Sequence, residues 1–180
     1  MVGKEIIRKK FFVKRKKKYF DIKKRFFDPL IKFFKKRKFN NLALYYPSSY
    51  ELNILNILEV DSLKKKKFLL PIITDKNSMH FCEWKNKDVL NVNKYGILEP
   101  LKSKPITPNI ILVPLLAFDK FKNRLGYGKG FYDKFLKKKD KNKRKITSIG
   151  VAFSFQKYHK LPVNKKDAKL DYILTEKGIF

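Results

Sequence analysis

The chain has 180 residues, 43% of them hydrophobic, with 45 Lys and Arg against 16 Asp and Glu, for a formal charge of +29. That length and apolar share allow one domain, residues 1–180, around a real core. The lone cysteine, Cys82, excludes an internal disulfide, and the longest apolar run, nine residues from Ile110 to Phe118 with a proline inside, is too short to span a bilayer. The basic N-terminus is followed by no apolar stretch of the kind a secretory signal needs. The expectation is a soluble, cytoplasmic monomer with no membrane partner. The charge alone invites polyanions, because cations that neutralise phosphates release counterions. Lysines occur in every segment, as a compositional bias would scatter them, and non-specific nucleic-acid affinity follows from charge alone. The alternative that the +29 charge and the Lys/Phe-rich N-terminal helices support is a small basic nucleic-acid-binding protein without catalysis, whose lysines should cluster on one face.

In chain order, residues 4–18 read as a helix with a narrow apolar stripe of Ile7, Phe11 and Phe12 among cations. Residues 19–27 read as a second helical stretch. Asp28-Pro29 then reads as an N-cap and first-turn proline of a helix that turns Leu30, Ile31 and Phe34 inward. Residues 42–46 predict a buried strand closed by a Pro47-Ser48-Ser49 turn, and Ile54, Leu55, Leu58 and Leu63 predict a helix. Residues 68–73 predict a strand, with Pro71 favouring a strand end or sheet edge. Residues 79–84 predict another strand. Residues 95–108, with Gly96, Pro100, Pro105 and Pro108, read as irregular. The most apolar strand candidate is NIILVPLL, residues 109–116; residues 131–139 then read as a helix and 137–145 as an exposed basic connection. Residues 146–152 and 172–175 predict the last strands. Strands alternating with helices predict an α/β fold, a layered α/β/α domain with a mainly parallel, Rossmann-like central sheet.

The stretch RLGYGKGFYD, residues 124–133, places Gly126, Gly128 and Gly130 on alternate positions between a buried strand and a helix. Glycines there let backbone approach a ligand closely or adopt positive φ. A helix N-terminus offers free N–H groups and partial positive charge, and Arg124 and Lys129 add two cations. The combination suits a polyphosphate, with Asp133 one turn into the helix placed to hold a divalent cation on it. It is not a Walker loop, since Gly130 follows Lys129, nor the dinucleotide fingerprint, since Phe131 stands where the third glycine belongs. His80, Cys82 and His159 show no metal-ligand spacing, and Trp84 reads as packing or as a stacking surface.

Residues 112–136, LVPLLAFDKFKNRLGYGKGFYDKFL, closely resemble the signature of the 5-formyltetrahydrofolate cyclo-ligase family, with its apolar strand, VP pair, FD and NRLGxGxGYYD. Other segments match in the same order: KEIIR at residues 4–8, LALYYPSSYE at 42–51, GILEP at 96–100 and LPVNKKDAKLDYILTE at 161–176. The resemblance implies ATP- and Mg2+-dependent closure of 5-formyltetrahydrofolate to 5,10-methenyltetrahydrofolate, with ADP and phosphate released. In that chemistry the formyl oxygen is phosphorylated, N10 attacks the formyl carbon, and phosphate departs.

Carried over position by position, the resemblance assigns Lys4, Arg8, Arg124, Leu125, Gly126, Tyr127, Gly128, Lys129, Gly130, Phe131 and Tyr132 to ATP, with Arg124 and Lys129 as the catalytic cations. Lys4 and Arg8, four apart, share one helical face and can reach one phosphate chain. Asp133 and Asp167 match the Mg2+ carboxylates. Glu51 matches the folate-binding glutamate, with Tyr46 at the pocket wall and Tyr127, Gly128, Lys129, Gly130 and Phe131 between nucleotide and folate. Phe131 departs from the pattern by lacking a hydroxyl and is assigned no polar role.

Overall fold

The apolar residues of the strands sort onto two faces of one sheet, and this alternation sets the layers. The computed structural model describes residues 3–74, 78–101, 104–141 and 146–180. Its elements are α1 (Lys4–Lys18), α2 (Asp28–Lys35), β1 (Asn41–Ala43), β2 (Lys67–Ile73), β3 (Met79–Glu83), β4 (Leu90–Val92), β5 (Leu98–Pro100), β6 (Ile110–Pro114), β7 (Ala117–Phe118), β8 (Arg124–Leu125), α3 (Phe131–Lys141), β9 (Thr147–Val151), β10 (Tyr172–Thr175) and β11 (Gly178–Ile179).

Seven strands form the main sheet in the order β11-β10-β9-β6-β1-β2-β3. The inner five run parallel; β3 and β11 close the two edges antiparallel. Ile110 and Leu112 of β6 enter one core with Leu30 and Phe34 of α2. Ile111 and Val113 enter the other with Leu136 of α3. Leu30 and Leu112 are fully buried, worth about 1.5–3 kcal/mol each relative to exposure. The α/β/α layering is therefore present, around a large, mainly parallel sheet with few helices. Numbered by appearance, the five parallel strands lie in the doubly wound order 2-1-3-4-5, which reverses between β1 and β6. In such sheets ligands settle beyond the carboxyl ends of the strands that flank the reversal. The loop carrying Glu51 follows β1, and the glycine loop follows β6 through the small β7–β8 hairpin.

Helix α1 forms as expected, with Glu5 in its first turn and Arg15 to Lys18 in its last, charges that suit the helix dipole. Its buried stripe is Ile7, Phe11 and Arg15, docked on Leu116, Ala117, Leu125 and Leu161. Residues 19–27 are not a helix. Tyr19 turns to extended backbone, and only Lys24–Phe27 forms a 3-10 turn, which buries the adjacent rings of Phe26 and Phe27 together. Asp28 is not the N-cap but the first helical residue, at φ −54 and ψ −43, and Phe27 precedes it without a side-chain cap bond. Pro29 keeps its first-turn place.

The helix expected over Ile54 to Leu63 is two 3-10 turns, Ile54–Glu59 and Asp61–Leu63. Ile54 and Ile57, three apart, are the buried pair, which is the 3-10 period. Strand β1 stops at Ala43, though Leu44 still donates to the carbonyl of Leu69 at 2.8 Å. Pro71 lies inside β2, past the last β1 partner at Leu69, so its missing N–H costs no bond there. Residues 95–108 are less irregular than expected, since Leu98–Pro100 pairs with Leu90–Val92. Helix α3 extends to Lys141, into the expected basic connection, whose residues 142–145 lie outside the described ones. Among the described residues, no helix is long and apolar enough to cross a membrane.

Candidate active site

Beyond the carboxyl end of β1 the chain bends at Ser49 and Tyr50, both at positive φ (49° and 63°), and drops Glu51 to 7% exposure. The carboxylate is well held. The Ser48 backbone N–H donates to Oε2 at 3.0 Å, and the Tyr127 hydroxyl donates to Oε1 at 2.6 Å. Burial pushes the Glu51 carboxyl above its ordinary range, opposed by Tyr127, Ser48 and Arg15. A cleft of about 400 Å³ opens over it, lined in part by Tyr19, Tyr46, Ser48, Tyr50 and Asn53. Tyr46 lines this cleft and packs edge-on against the buried Trp84, with ring centres 6.4 Å apart.

The glycine loop starts as strand β8 and ends as α3. Gly128 and Gly130 hold φ of +102° and +72°, values that favour glycine. Gly126 has a different reason: a Cβ there would meet Arg124 Nη1 at 2.8 Å. Arg124 is buried beneath the loop, ion-paired with Asp133 at 2.9 Å, and its guanidinium lies 5.6 Å from the Tyr132 ring centre. Its Nε and the Tyr132 hydroxyl are buried without hydrogen-bond partners among the described residues, polar atoms left over for a ligand or water. Burial and the nearby Glu51 charge raise the Tyr132 phenol well above its ordinary range. Lys129 is exposed, its ammonium 5.3 Å from the Tyr95 ring centre, and Tyr95 packs against Phe131 at 5.4 Å.

Helix α1 lies alongside this loop. Arg8 Nε donates to the Gly126 carbonyl at 2.9 Å, its guanidinium reaches Gly128, and it pairs with Glu5. Lys4 Nζ pairs with Asp167 Oδ2 at 2.5 Å, an oxygen that also accepts from the Asn164 N–H. Asp133 Oδ1 accepts from the Ala168 N–H at 3.0 Å, which brings the two aspartate segments side by side. The structure thus gathers Lys4, Arg8, Arg124, Asp133 and Asp167 around one loop, and joins Glu51 to that loop through Tyr127.

Each proposed metal carboxylate is paired with a proposed phosphate cation. Asp167 offers Oδ1 to a cation, whereas both oxygens of Asp133 are engaged, one by Arg124 and one by Ala168. Two hard carboxylates on neighbouring segments are the oxygen ligands that Mg2+ takes when phosphate and water complete its shell; among the described residues no third metal-ligating side chain joins them.

The sequence reading missed Arg15. It is 1% exposed and donates to the carbonyls of Leu115 (3.2 Å) and Ser49 (2.7 Å) and to the Tyr127 hydroxyl (2.6 Å). Its signal was its place in the stripe, four residues after Phe11 and eight after Ile7. Tyr95 was also missed, since nothing local marks it.

The family model described as the 5-formyltetrahydrofolate cyclo-ligase family matches residues 3–176. The chain is similar to the 5-formyltetrahydrofolate cyclo-ligase of Mycoplasma genitalium, with 31% identity over 180 residues covering 97% of this chain and 98% of the relative. Its fold is similar to the NMR structure of Aquifex aeolicus 5,10-methenyltetrahydrofolate synthetase, with a TM-score of 0.74, 32% identity and coverage of 98% and 91%. The Mycoplasma pneumoniae 5,10-methenyltetrahydrofolate synthetase, 23% identical with a TM-score of 0.70 over 96% of this chain and 98% of its own, shares the fold. With its motifs in order from Lys4 to Glu176 and its glycine loop at the sheet's reversal point, the chain belongs to the 5-formyltetrahydrofolate cyclo-ligase family.

Proposed function

We propose that this protein, as one unit over residues 1–180, closes 5-formyltetrahydrofolate to 5,10-methenyltetrahydrofolate at the expense of ATP. The observation that carries the reading is the bond from Tyr127 of the glycine loop to Glu51, because it sets a pterin-type acceptor against a phosphate-type loop. Glu51 would accept the paired N–H donors of the pterin edge, with Tyr46 beside it. Lys4, Arg8, Arg124 and Lys129 would surround the triphosphate.

The formyl oxygen attacks the terminal phosphorus and the bond to ADP breaks. N10 then bonds the formyl carbon, loses its proton to solvent, and the carbon–oxygen bond breaks with loss of phosphate. Phosphoryl transfer of this type needs alignment and charge neutralisation more than covalent help, which fits a site rich in fixed cations. Asp133 and Asp167 would hold Mg2+, which when bound draws charge from the phosphates.

In the free protein Lys4–Asp167 and Arg124–Asp133 hold each other's charge. Phosphate replaces the carboxylates as partner of the cations, so few charges are left bare at any stage. Folded protein given MgATP and 5-formyltetrahydrofolate should develop the absorbance of methenyltetrahydrofolate. Protein that binds ATP but forms no product would overturn the proposal.

A second, additional property has its own observation. Lys36, Arg37, Lys38, Lys122 and Lys169 line a cleft of about 1280 Å³ at the amino ends of β6, β9 and β10, the other end of the sheet from Glu51. Asp171 is the lone carboxylate among its lining residues. Non-specific affinity for nucleic-acid phosphates is proposed there, without any role in the chemistry.

A further inference from the structure

Position 127 is one that the family's glycine signature leaves open, and this chain fills it with tyrosine. The residue is 42% exposed, but its hydroxyl is held between Arg15 and Glu51. Arg15 Nη2 donates to the hydroxyl oxygen at 2.6 Å, and the hydroxyl passes its own proton toward Glu51 Oε1 at 2.6 Å. A phenol that accepts from a guanidinium becomes a stronger donor, so each bond strengthens the next. Arg15 is itself fixed by the carbonyls of Leu115, at the carboxyl end of β6, and Ser49, in the turn after β1. The relay therefore spans the gap between the two strands that flank the sheet's reversal.

We propose that Arg15 and Tyr127 are a positioning pair for Glu51, holding the carboxylate ionised and aimed so that it accepts the N–H donors of the folate ring. This rests on the folate assignment of Glu51 made above. The groups that face Glu51 agree with the role. Tyr45, Tyr127 and Tyr132 are the titratable neighbours and Arg15 the cation, with the Ser48 N–H and hydroxyl on the other oxygen. Burial drives the carboxyl toward its protonated form, and Tyr127 is the largest opposing influence. The exchange with ligand is feasible, because an ionised carboxylate has about four acceptor directions; the Ser48 N–H and hydroxyl share Oε2 and Tyr127 takes one direction of Oε1, which leaves Oε1 the more open oxygen.

The test is calorimetric titration of 5-formyltetrahydrofolate, without nucleotide, into wild-type protein and Tyr127→Phe. The variant keeps ring and packing and removes one hydroxyl. Its affinity should fall by about tenfold or more at neutral pH, the scale of one hydrogen bond to a charged group. The pH below which binding fades should also move upward, because Glu51 then holds its proton longer. Arg15→Lys should shift the profile in the same direction by less, since the charge stays but the forked contacts to Ser49 and Leu115 are lost. Equal affinity with an unchanged pH profile in Tyr127→Phe would overturn the inference alone. Tighter binding would overturn it too, by showing that the hydroxyl competes with the ligand. Wild-type protein that binds no folate would overturn the function and this inference together.

Discussion

Lys4 and Asp167 stand 163 residues apart in the chain, and their side chains meet at 2.5 Å. The contact ties the start of α1 to the segment that leads into β10. If it is also where charge is exchanged with MgATP, the two residues have separable effects. Lys4→Ala should raise the KM for ATP by about tenfold or more, the cost of a charged contact. Asp167→Asn should instead raise the Mg2+ concentration needed for half-maximal turnover. Steady-state titrations of ATP and of Mg2+ check this, and identical shifts in both would exclude the division of labour.

Lys129 and Lys138 are both exposed lysines of the same region. Lys129→Ala should lower kcat/KM for ATP by about 10²–10³, the range for removal of an electrostatic donor. Lys138→Ala should leave it within about twofold, as for a surface change away from any site. Equal effects would mean that the loop lysine is no more than surface charge.

Glu51 gives a stability signature with a definite sign. Its folded carboxyl is raised above the ordinary range, so the folded state holds the proton more readily than the unfolded one. Its favourable contribution is fully present below the unfolded value of about 4.3 and is lost as pH rises through the folded value. Glu51→Gln keeps an acceptor oxygen and cannot ionise. Its melting temperature relative to wild type should therefore rise as pH climbs above the unfolded value of about 4.3, while turnover falls. Thermal melts across that window check it; a relative loss of stability with rising pH would contradict it.

The three glycines of the loop should fail differently. Gly126→Ala puts a methyl group 2.8 Å from Arg124 Nη1 without a positive φ, so it should displace the guanidinium and reduce kcat with little loss of stability. Gly130→Ala meets open space but must hold φ +72°, so it should cost about 1 kcal/mol of stability and spare Arg124. Comparing melting temperature with kcat for the two variants separates a blocked contact from a strained backbone.

The basic cleft predicts salt dependence. Binding of a single-stranded RNA oligomer should weaken as salt rises, with a log–log slope of about −0.7 per phosphate neutralised. Lys36→Ala, Arg37→Ala and Lys38→Ala together should flatten that slope while turnover stays as in wild type. An unchanged slope would return the charge to the whole surface.

Much of this architecture could be read from local pattern. The unbroken apolar run of β6 announces a strand buried on both faces, and the spacing of Gly126, Gly128 and Gly130 announces a glycine loop that leads into a helix. The 3-10 turns were not legible, because Ile54, Leu55 and Leu58 fit a helical period as well as a tighter one. Arg15 was not legible because an arginine at the end of an apolar stripe ordinarily marks where the stripe meets water. The carbonyls of Leu115 and Ser49 and the hydroxyl of Tyr127, all remote in sequence, give it a reason to be inside. Neither ion pair was legible: Arg124 in β8 and Asp133 in α3 meet only because the glycine loop folds back between them, and no local rule couples Lys4 to Asp167 at the two ends of a chain.

Helix α1 touches both halves of the site at once. Arg8 grips the Gly126 carbonyl, while Arg15 grips Ser49 and Tyr127. The helix works as a crossbar, so any tilt of it shifts the glycine loop and the turn before Glu51 in concert. Ile7 and Phe11 seat that crossbar on Leu116, Ala117, Leu125 and Leu161, so its footing is the apolar core itself.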